Sequence, residues 1–301
     1  MKPLFFLLIL ALASTSAHAG PMRDRYLGRM KERSVGEVTD PAKILPGATV
    51  QTVAYGADAA QTLDVYAPPS PRDAPIIVMV HGGGWRLGDK ASPGVVDNKL
   101  KRWLPQGFIV VSVNYRMLPD AGVDLQAQDI AHAIAYVQKE APRWGGNGNK
   151  VIAMGHSAGA HLVALVSADP APVVAAGGRA WRGTVVIDSA ALDVTAVMQK
   201  RHPRLYDDAL GNDPIFWANV SPAARLKPGA VPMLLVCSSQ RPDDPCADAR
   251  AFSAQLAAQG QDTQVLPQAM SHMAINRDLG LDTAYTAHVD DFIHTRLADQ
   301  D

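Results

Sequence analysis

Ser157 lies in Val151-Ile-Ala-Met-Gly-His-Ser-Ala-Gly-Ala-His-Leu162, where an apolar run ends in a pentapeptide of small residues and an alanine-rich segment begins. A serine hydroxyl attacks a carbonyl only when it is exposed, relieved of its proton and flanked by donors for the oxyanion that forms. Gly155 and Gly159 meet the first need, because a strand turning sharply into a helix leaves no room for side chains there. The pattern describes a nucleophile elbow, and the chemistry it suits is acyl transfer. Taken alone, the same five residues would also suit a glycine-bounded turn closing a buried strand.

Upstream, Ala74-Pro-Ile-Ile-Val-Met-Val80 reads as a buried strand that runs into His81-Gly-Gly-Gly-Trp85. Successive glycines uncover backbone N–H groups, so Gly83 and Gly84 are the expected oxyanion donors, with the Ala158 amide completing the hole. Trp85 is expected to line the substrate pocket, and His81 to orient the glycine loop. A phosphate-binding loop is excluded, since Gly83 and Gly88 have its spacing but Asp89 occupies the lysine position. A dinucleotide fingerprint fails for want of a third glycine at the required offset.

The base is expected at His272, in the last strand-to-helix loop after the short strand 263–266. The other eight histidines read as structural or surface residues, with His156 and His161 too constrained beside Ser157 to serve as its base. The acid should fall between Ser157 and His272 in chain order. After the strand 232–237, the loop Ser238-Ser-Gln-Arg-Pro-Asp-Asp-Pro-Cys246 offers Asp243 and Asp244. One should orient His272 while the other is a solvated carboxylate, and Pro245, which stiffens the backbone beyond it, tips the choice toward Asp244. Asp188 and Asp193, after the strand 184–187, are the fallback acids.

The motifs His-Gly-Gly-Gly-Trp (81–85), Val-Asn-Tyr-Arg (113–116), Trp-Gly-Gly-Asn (144–147), Gly-His-Ser-Ala-Gly-Ala-His-Leu (155–162) and Ser-His (271–272) together resemble the α/β-hydrolase esterases related to hormone-sensitive lipase. Within these the chain is most similar to the bacterial feruloyl-esterase-like and arylformamidase-like carboxylesterases, over residues 45–297. The resemblance implies an α/β-hydrolase fold, a Ser-Asp-His triad and acyl transfer on an ester or amide, with no cofactor. The acid loop departs from the family, whose Gly-x-x-Asp-x-x-Val pattern is replaced by a cysteine-bracketed Arg-Pro-Asp-Asp-Pro. An N-formyl arylamine amidase fits the same motifs, although export weighs against it. A catalytically inactive binding module on the same scaffold is a third reading, opposed by the presence of every triad residue type in order.

To position these groups the chain needs a sheet. Paired strands are expected near 49–55 and 61–66, then buried strands at 75–80, 108–114, 150–154, 184–188, 232–237 and 263–266. Helical periodicity marks 125–140, 247–259 and 284–297. The alternation predicts a mostly parallel sheet of about eight strands covered on both faces. Between the sixth and seventh strands, residues 189–230 carry Pro203, Tyr206, Pro214, Phe216 and Trp217. They predict a small cap whose aromatics either line the pocket or form the cap's own core.

At 301 residues the chain suits one hydrolase-sized domain over 46–301, and a net charge of −1 without a basic stripe excludes nucleic acid as a partner. The apolar run 3–13 followed by Ala17-His-Ala19 reads as a signal peptide over 1–19, too short to span a bilayer, with an extension at 20–45 and no lipid-anchor cysteine. Export places Cys237 and Cys246 in an oxidising compartment, where a disulfide is expected to clip the acid loop. So short a ring is worth about 2 to 3 kcal/mol in the chain-entropy model. No metal site is expected, since His156 and His161 have no ligand partners around them. The partner is therefore a small-molecule ester, and the sequence is silent on oligomeric state.

Overall fold

The structure, a computed structural model, describes residues 38–298 apart from residue 190. The expected signal peptide, and the extension as far as residue 37, lie outside the described residues.

Eight strands form one sheet: β1 (Thr49–Ala54), β2 (Thr62–Ala67), β3 (Ala74–Val80), β4 (Ile109–Val113), β5 (Gly146–His156), β6 (Gly183–Ile187), β7 (Met233–Ser238) and β8 (Thr263–Gln268). Their spatial order is β1-β2-β4-β3-β5-β6-β7-β8. β1 pairs antiparallel with β2 and β2 with β4, and every later pairing is parallel. The central strands are fully buried, as parallel strands covered on both faces must be.

The two faces follow the pleat. Along β3, Ile76, Val78 and Val80 enter one apolar cluster with Ile130, Leu162 and Phe252, whereas Ile77 and Met79 enter another with Leu100, Trp103 and Ile293. Helices Val123–Glu140, Ala158–Ala168 and Pro245–Ala258 supply the first cluster, and Pro93–Trp103 and Ala284–Ala298 the second. This is the α/β-hydrolase architecture, as expected. The helix Pro93–Trp103 adds to the expected set. It opens with proline at its first position and buries Val96, Leu100 and Trp103 at helical spacing.

Four short helices make the cap: Val194–Met198, Arg204–Leu210, Pro214–Asn219 and Pro222–Arg225. Each is too brief to show a periodicity in sequence, and two open with proline. Cys237 and Cys246 are disulfide-bonded, with Cα atoms 5.2 Å apart. Among the described residues no helix is long and apolar enough to cross a membrane.

Because β5 to β8 run parallel, their C-terminal ends share one edge of the sheet. The loops after β5, β6, β7 and β8 begin with or carry Ser157, Asp188, Asp243 with Asp244, and His272 respectively. All the sequence candidates thus reach the same rim, and side-chain geometry distinguishes among them.

Candidate active site

Ser157 follows β5 directly and caps the helix Ala158–Ala168 with φ 56° and ψ −117°. That left-handed backbone is strained for a residue with a Cβ, and its surroundings hold it in place. A Cβ on Gly155 would lie 2.4 Å from the Gly159 carbonyl oxygen, and one on Gly159 2.4 Å from the Val80 and His81 carbonyl oxygens. The elbow glycines are therefore required by backbone meeting backbone. The Ser157 amide donates to Ile187 O at 2.9 Å, which stitches the turn to the end of β6.

His272 Nε2 lies 3.0 Å from Ser157 Oγ, and its Nδ1 lies 2.6 Å from Asp188 Oδ2. With Asp188 ionised, Nδ1 carries the proton and Nε2 is left to accept from the serine hydroxyl. Asp188 is fully buried, at φ 57°, with Oδ1 accepting from the Ser238 amide at 2.8 Å. Burial works to raise its pKa. The His272 hydrogen bond, the Arg241 charge and the Ser238 amide outweigh burial and hold the carboxyl below the usual range.

The carboxylate beside His272 is thus Asp188, a fallback in sequence, and neither Asp243 nor Asp244. Asp244 is the N-cap of the helix Pro245–Ala258, accepting from Ala247 N at 3.1 Å. Asp243 is turned onto Arg241, which it pairs through both oxygens. Both side chains are committed to their own loop. Asp193 likewise caps a cap helix, accepting from Ala196 N.

The glycine loop abuts the elbow, since a Cβ on Gly82 would meet His156 O at 2.8 Å and Ser157 Cβ at 3.0 Å. Gly83 and Gly84 have φ of 130° and 62°, and none of the loop hydrogen bonds among the described residues is donated by the Gly83 or Gly84 amide. Ala158 opens its helix, where first-turn N–H groups have no intrahelical acceptor. The Gly83, Gly84 and Ala158 amides are therefore not taken by backbone acceptors among the described residues. The Val-Asn-Tyr-Arg motif braces this loop. Tyr115 Oη donates to His81 O at 3.0 Å, and Asn114 takes Lys90 N and gives to Asp89. His81 bonds Gly82 O through Nδ1 at 2.8 Å, as expected for a loop-orienting residue.

Trp85 differs from expectation. It is 3% exposed, its indole N–H donates to His161 Nδ1 at 3.2 Å, and its ring meets Tyr206 edge-on at 5.5 Å. The indole is a buried pillar joining glycine loop, elbow helix and cap, so it is not placed to line an open pocket. Leu205 takes that position instead, 3.5 Å from where a Cβ on Gly84 would stand and 37% exposed. Sequence reasoning missed Leu205 because nothing in a short cap helix marks which side chain faces the cleft.

His156 and His161 are structural. His156 Nε2 donates to His272 O at 2.8 Å, and His161 Nε2 to Val220 O at 2.7 Å. Burial lowers the His156 pKa to about 3, with the His272 charge adding to it, and burial lowers that of His161 to about 4. Both folded values lie below the ordinary 6.5, so between them and 6.5 the unfolded chain binds protons that the folded rings refuse. The stabilising contribution is full above 6.5 and is lost as pH falls through that window. Thermal melts should show Tm declining steadily from pH 7 to pH 4, and a flat profile would contradict the burial of both rings.

Fold and site together define an α/β hydrolase with a Ser-His-Asp cluster at the C-terminal rim of its sheet. A family model described as BD-FAE, the bacterial feruloyl-esterase-like group, matches residues 63–256, and the chain belongs to that family. It is 37% identical over 117 residues to esterase LipC of Mycobacterium tuberculosis, covering 38% of this chain and 28% of that protein. It is 33% identical over 119 residues to kynurenine formamidase of Danio rerio, covering 39% and 38%. The alignments thus span well under half the length of these curated relatives. A truncated carbohydrate esterase from gut microbiota superposes with TM-score 0.70 at 20% identity, covering 87% of this chain and 99% of that one, a likeness of fold.

Proposed function

We propose that this protein is a serine carboxylesterase that cleaves small to medium carboxylic esters, aromatic ones among them, through an acyl-enzyme. The observation that carries this reading is the relay Ser157 Oγ to His272 Nε2 at 3.0 Å and His272 Nδ1 to Asp188 at 2.6 Å. A neutral imidazole fixed this way accepts the serine proton as Oγ attacks the carbonyl carbon. The amides of Gly83, Gly84 and Ala158 receive the oxyanion. The imidazolium then protonates the leaving alkoxide, and the same ring activates the water that releases the acid.

Membership of the BD-FAE family and the likeness to esterases support ester chemistry. Leu205, a side chain of the four-helix cap that stands over Gly84, supports an acyl group of limited length. The Cys237–Cys246 bond supports an exported protein, since such bonds persist in oxidising compartments.

The likeness to a kynurenine formamidase favours a second reading, hydrolysis of an N-formyl arylamine. The same relay would serve it, with the histidine protonating an amine. A fluorophosphonate probe followed by peptide mapping should mark Ser157, and a panel of acetyl, butyryl and feruloyl esters with formylkynurenine should turn over the esters fastest. Fastest turnover of the formamide would move the protein to the second reading. Absence of an adduct on Ser157 would make it a binding module.

A further inference from the structure

Arg241 has no part in the relay just described, yet it sits against it. Its Nη1 is 3.0 Å from Asp188 Oδ2, 3.1 Å from the Asp188 carbonyl oxygen and 3.1 Å from His272 Nδ1. The other edge of the guanidinium is held by Asp243 through both carboxylate oxygens. The side chain is 18% exposed. Its loop, between β7 and the helix Pro245–Ala258, is closed by the Cys237–Cys246 bond just outside it on either side.

We propose that Arg241 is a positioning residue for the hydrolytic reaction: it fixes the Asp188 carboxylate and opposes protonation of His272 in the resting enzyme. The inference rests on the catalytic reading of Ser157, His272 and Asp188. His272 Nδ1 and Arg241 Nη1 are both donors, so their approach is not a hydrogen bond between them. They converge on one oxygen, Asp188 Oδ2, from two directions. A buried carboxylate whose only cationic partner is an imidazole that cycles between neutral and charged would draw a proton onto that imidazole at rest. A permanent guanidinium on the same oxygen supplies the counter-charge at every stage. It also sets a like charge beside the ring that must start each turnover neutral.

Among the described residues, the charged and titratable groups around His272 are few. Asp188 faces it from the end of β6 and Arg241 from the loop after β7, with Asp243 behind Arg241. The His156 ring packs against that of His272 at a tilt of 37° with centroids 4.6 Å apart, and farther out buried Lys99 is felt by His156 and buried Tyr285 feels Asp188. His156 stays neutral throughout the working range, its pKa pushed to about 3. Arg241 is therefore the permanent cation whose removal changes the ring's surroundings most. Asp243 acquires a role from this arrangement. Its bidentate grip orients the guanidinium plane so that one nitrogen is left for Asp188.

The test is the pH profile of kcat/KM for Arg241→Met, Arg241→Lys and Asp243→Asn, with active sites titrated by fluorophosphonate. Arg241→Met should move the acid limb to higher pH by about one unit, the scale on which a like charge in contact acts. It should lower kcat per titrated site by about ten- to a hundredfold, the range of a lost supporting contact. Arg241→Lys should keep the limb near the wild-type position, since it keeps the charge, while losing part of kcat. Asp243→Asn should move the limb little. If Arg241→Met shifts only Tm and leaves the limb with wild type and Arg241→Lys, the inference fails and Arg241 is only a structural tie. Should Arg241→Met not fold, a limb for Arg241→Lys displaced upward by a full unit would overturn it equally, because charge would then not be what matters. A wild-type enzyme that takes no probe at Ser157 defeats the catalytic reading itself, and this inference with it.

Discussion

Replacing Ser157 by alanine is expected to lower kcat on p-nitrophenyl acetate by about 10⁶-fold, the loss typical of a unit whose nucleophile is removed. The thermal melt should stay where it is, because among the described residues the hydroxyl contributes to one hydrogen bond, that with His272 Nε2. The φ of 56° is as costly for alanine as for serine, so the substitution neither relieves nor adds backbone strain. Retained turnover would sink the assignment of Ser157. A lost fold would mean that the elbow depends on the hydroxyl, contrary to the packing of Gly155 and Gly159 around it.

The second large effect belongs to Asp188→Asn, for which a fall in kcat of about 10⁴-fold is expected from the loss of the correct imidazole tautomer. The amide keeps the shape of the carboxyl but presents its NH2 or its neutral oxygen to Nδ1, and it leaves Arg241 facing no counter-charge on that side. Stability should fall as well, so activity must be read on folded protein. The discriminating comparison is with Asp243→Asn and Asp244→Asn, which should remain within about tenfold of wild type. Asp244 contributes a helix cap, worth about 1 kcal/mol. Inactive Asp244→Asn beside active Asp188→Asn would return the acid to the loop after β7.

That three-way contest shows where the sequence ran out. The sheet was legible because buried parallel strands write themselves as apolar runs ending in glycine or polar residues, and each expected strand coincides with an observed one to within a few residues. The elbow and glycine loop were legible because Gly82, Gly83, Gly155 and Gly159 are demanded by backbone contacts at 1.8 to 2.8 Å and Gly84 by its φ of 62°. The acid was not, since chain order admits any aspartate between Ser157 and His272. A proline next to Asp244 in fact marks the start of a helix that uses Asp244 as its cap. The usable signal was Asp188 itself, a carboxylate at the tip of the central run 183–187, on the strand beside the one that ends in Ser157. In the family's Gly-x-x-Asp pattern the acid position falls on Arg241 when Ser238 takes the place of the glycine. A cation at that point was a second hint that the carboxylate stands elsewhere. Trp85 is ambiguous in sequence because an indole beside a glycine loop can either face substrate or brace the loop, and its contacts with His161 on the elbow helix and Tyr206 in the cap make it a brace.

The hydrogen bond from the Ser157 amide to Ile187 O, followed by that from Asp188 N to Val236 O, continues the ladder of β5, β6 and β7 past the formal strand ends. Ser157 and Asp188 are thereby mounted on one sheet edge, their separation set by strand spacing. His272 instead stands on an arm fastened by side chains, Ser238 Oγ to Met270 O and His156 Nε2 to His272 O. Of the three groups the imidazole is the one that the ladder does not fix, and in the proposed mechanism it is the one that carries a proton from one partner to the next.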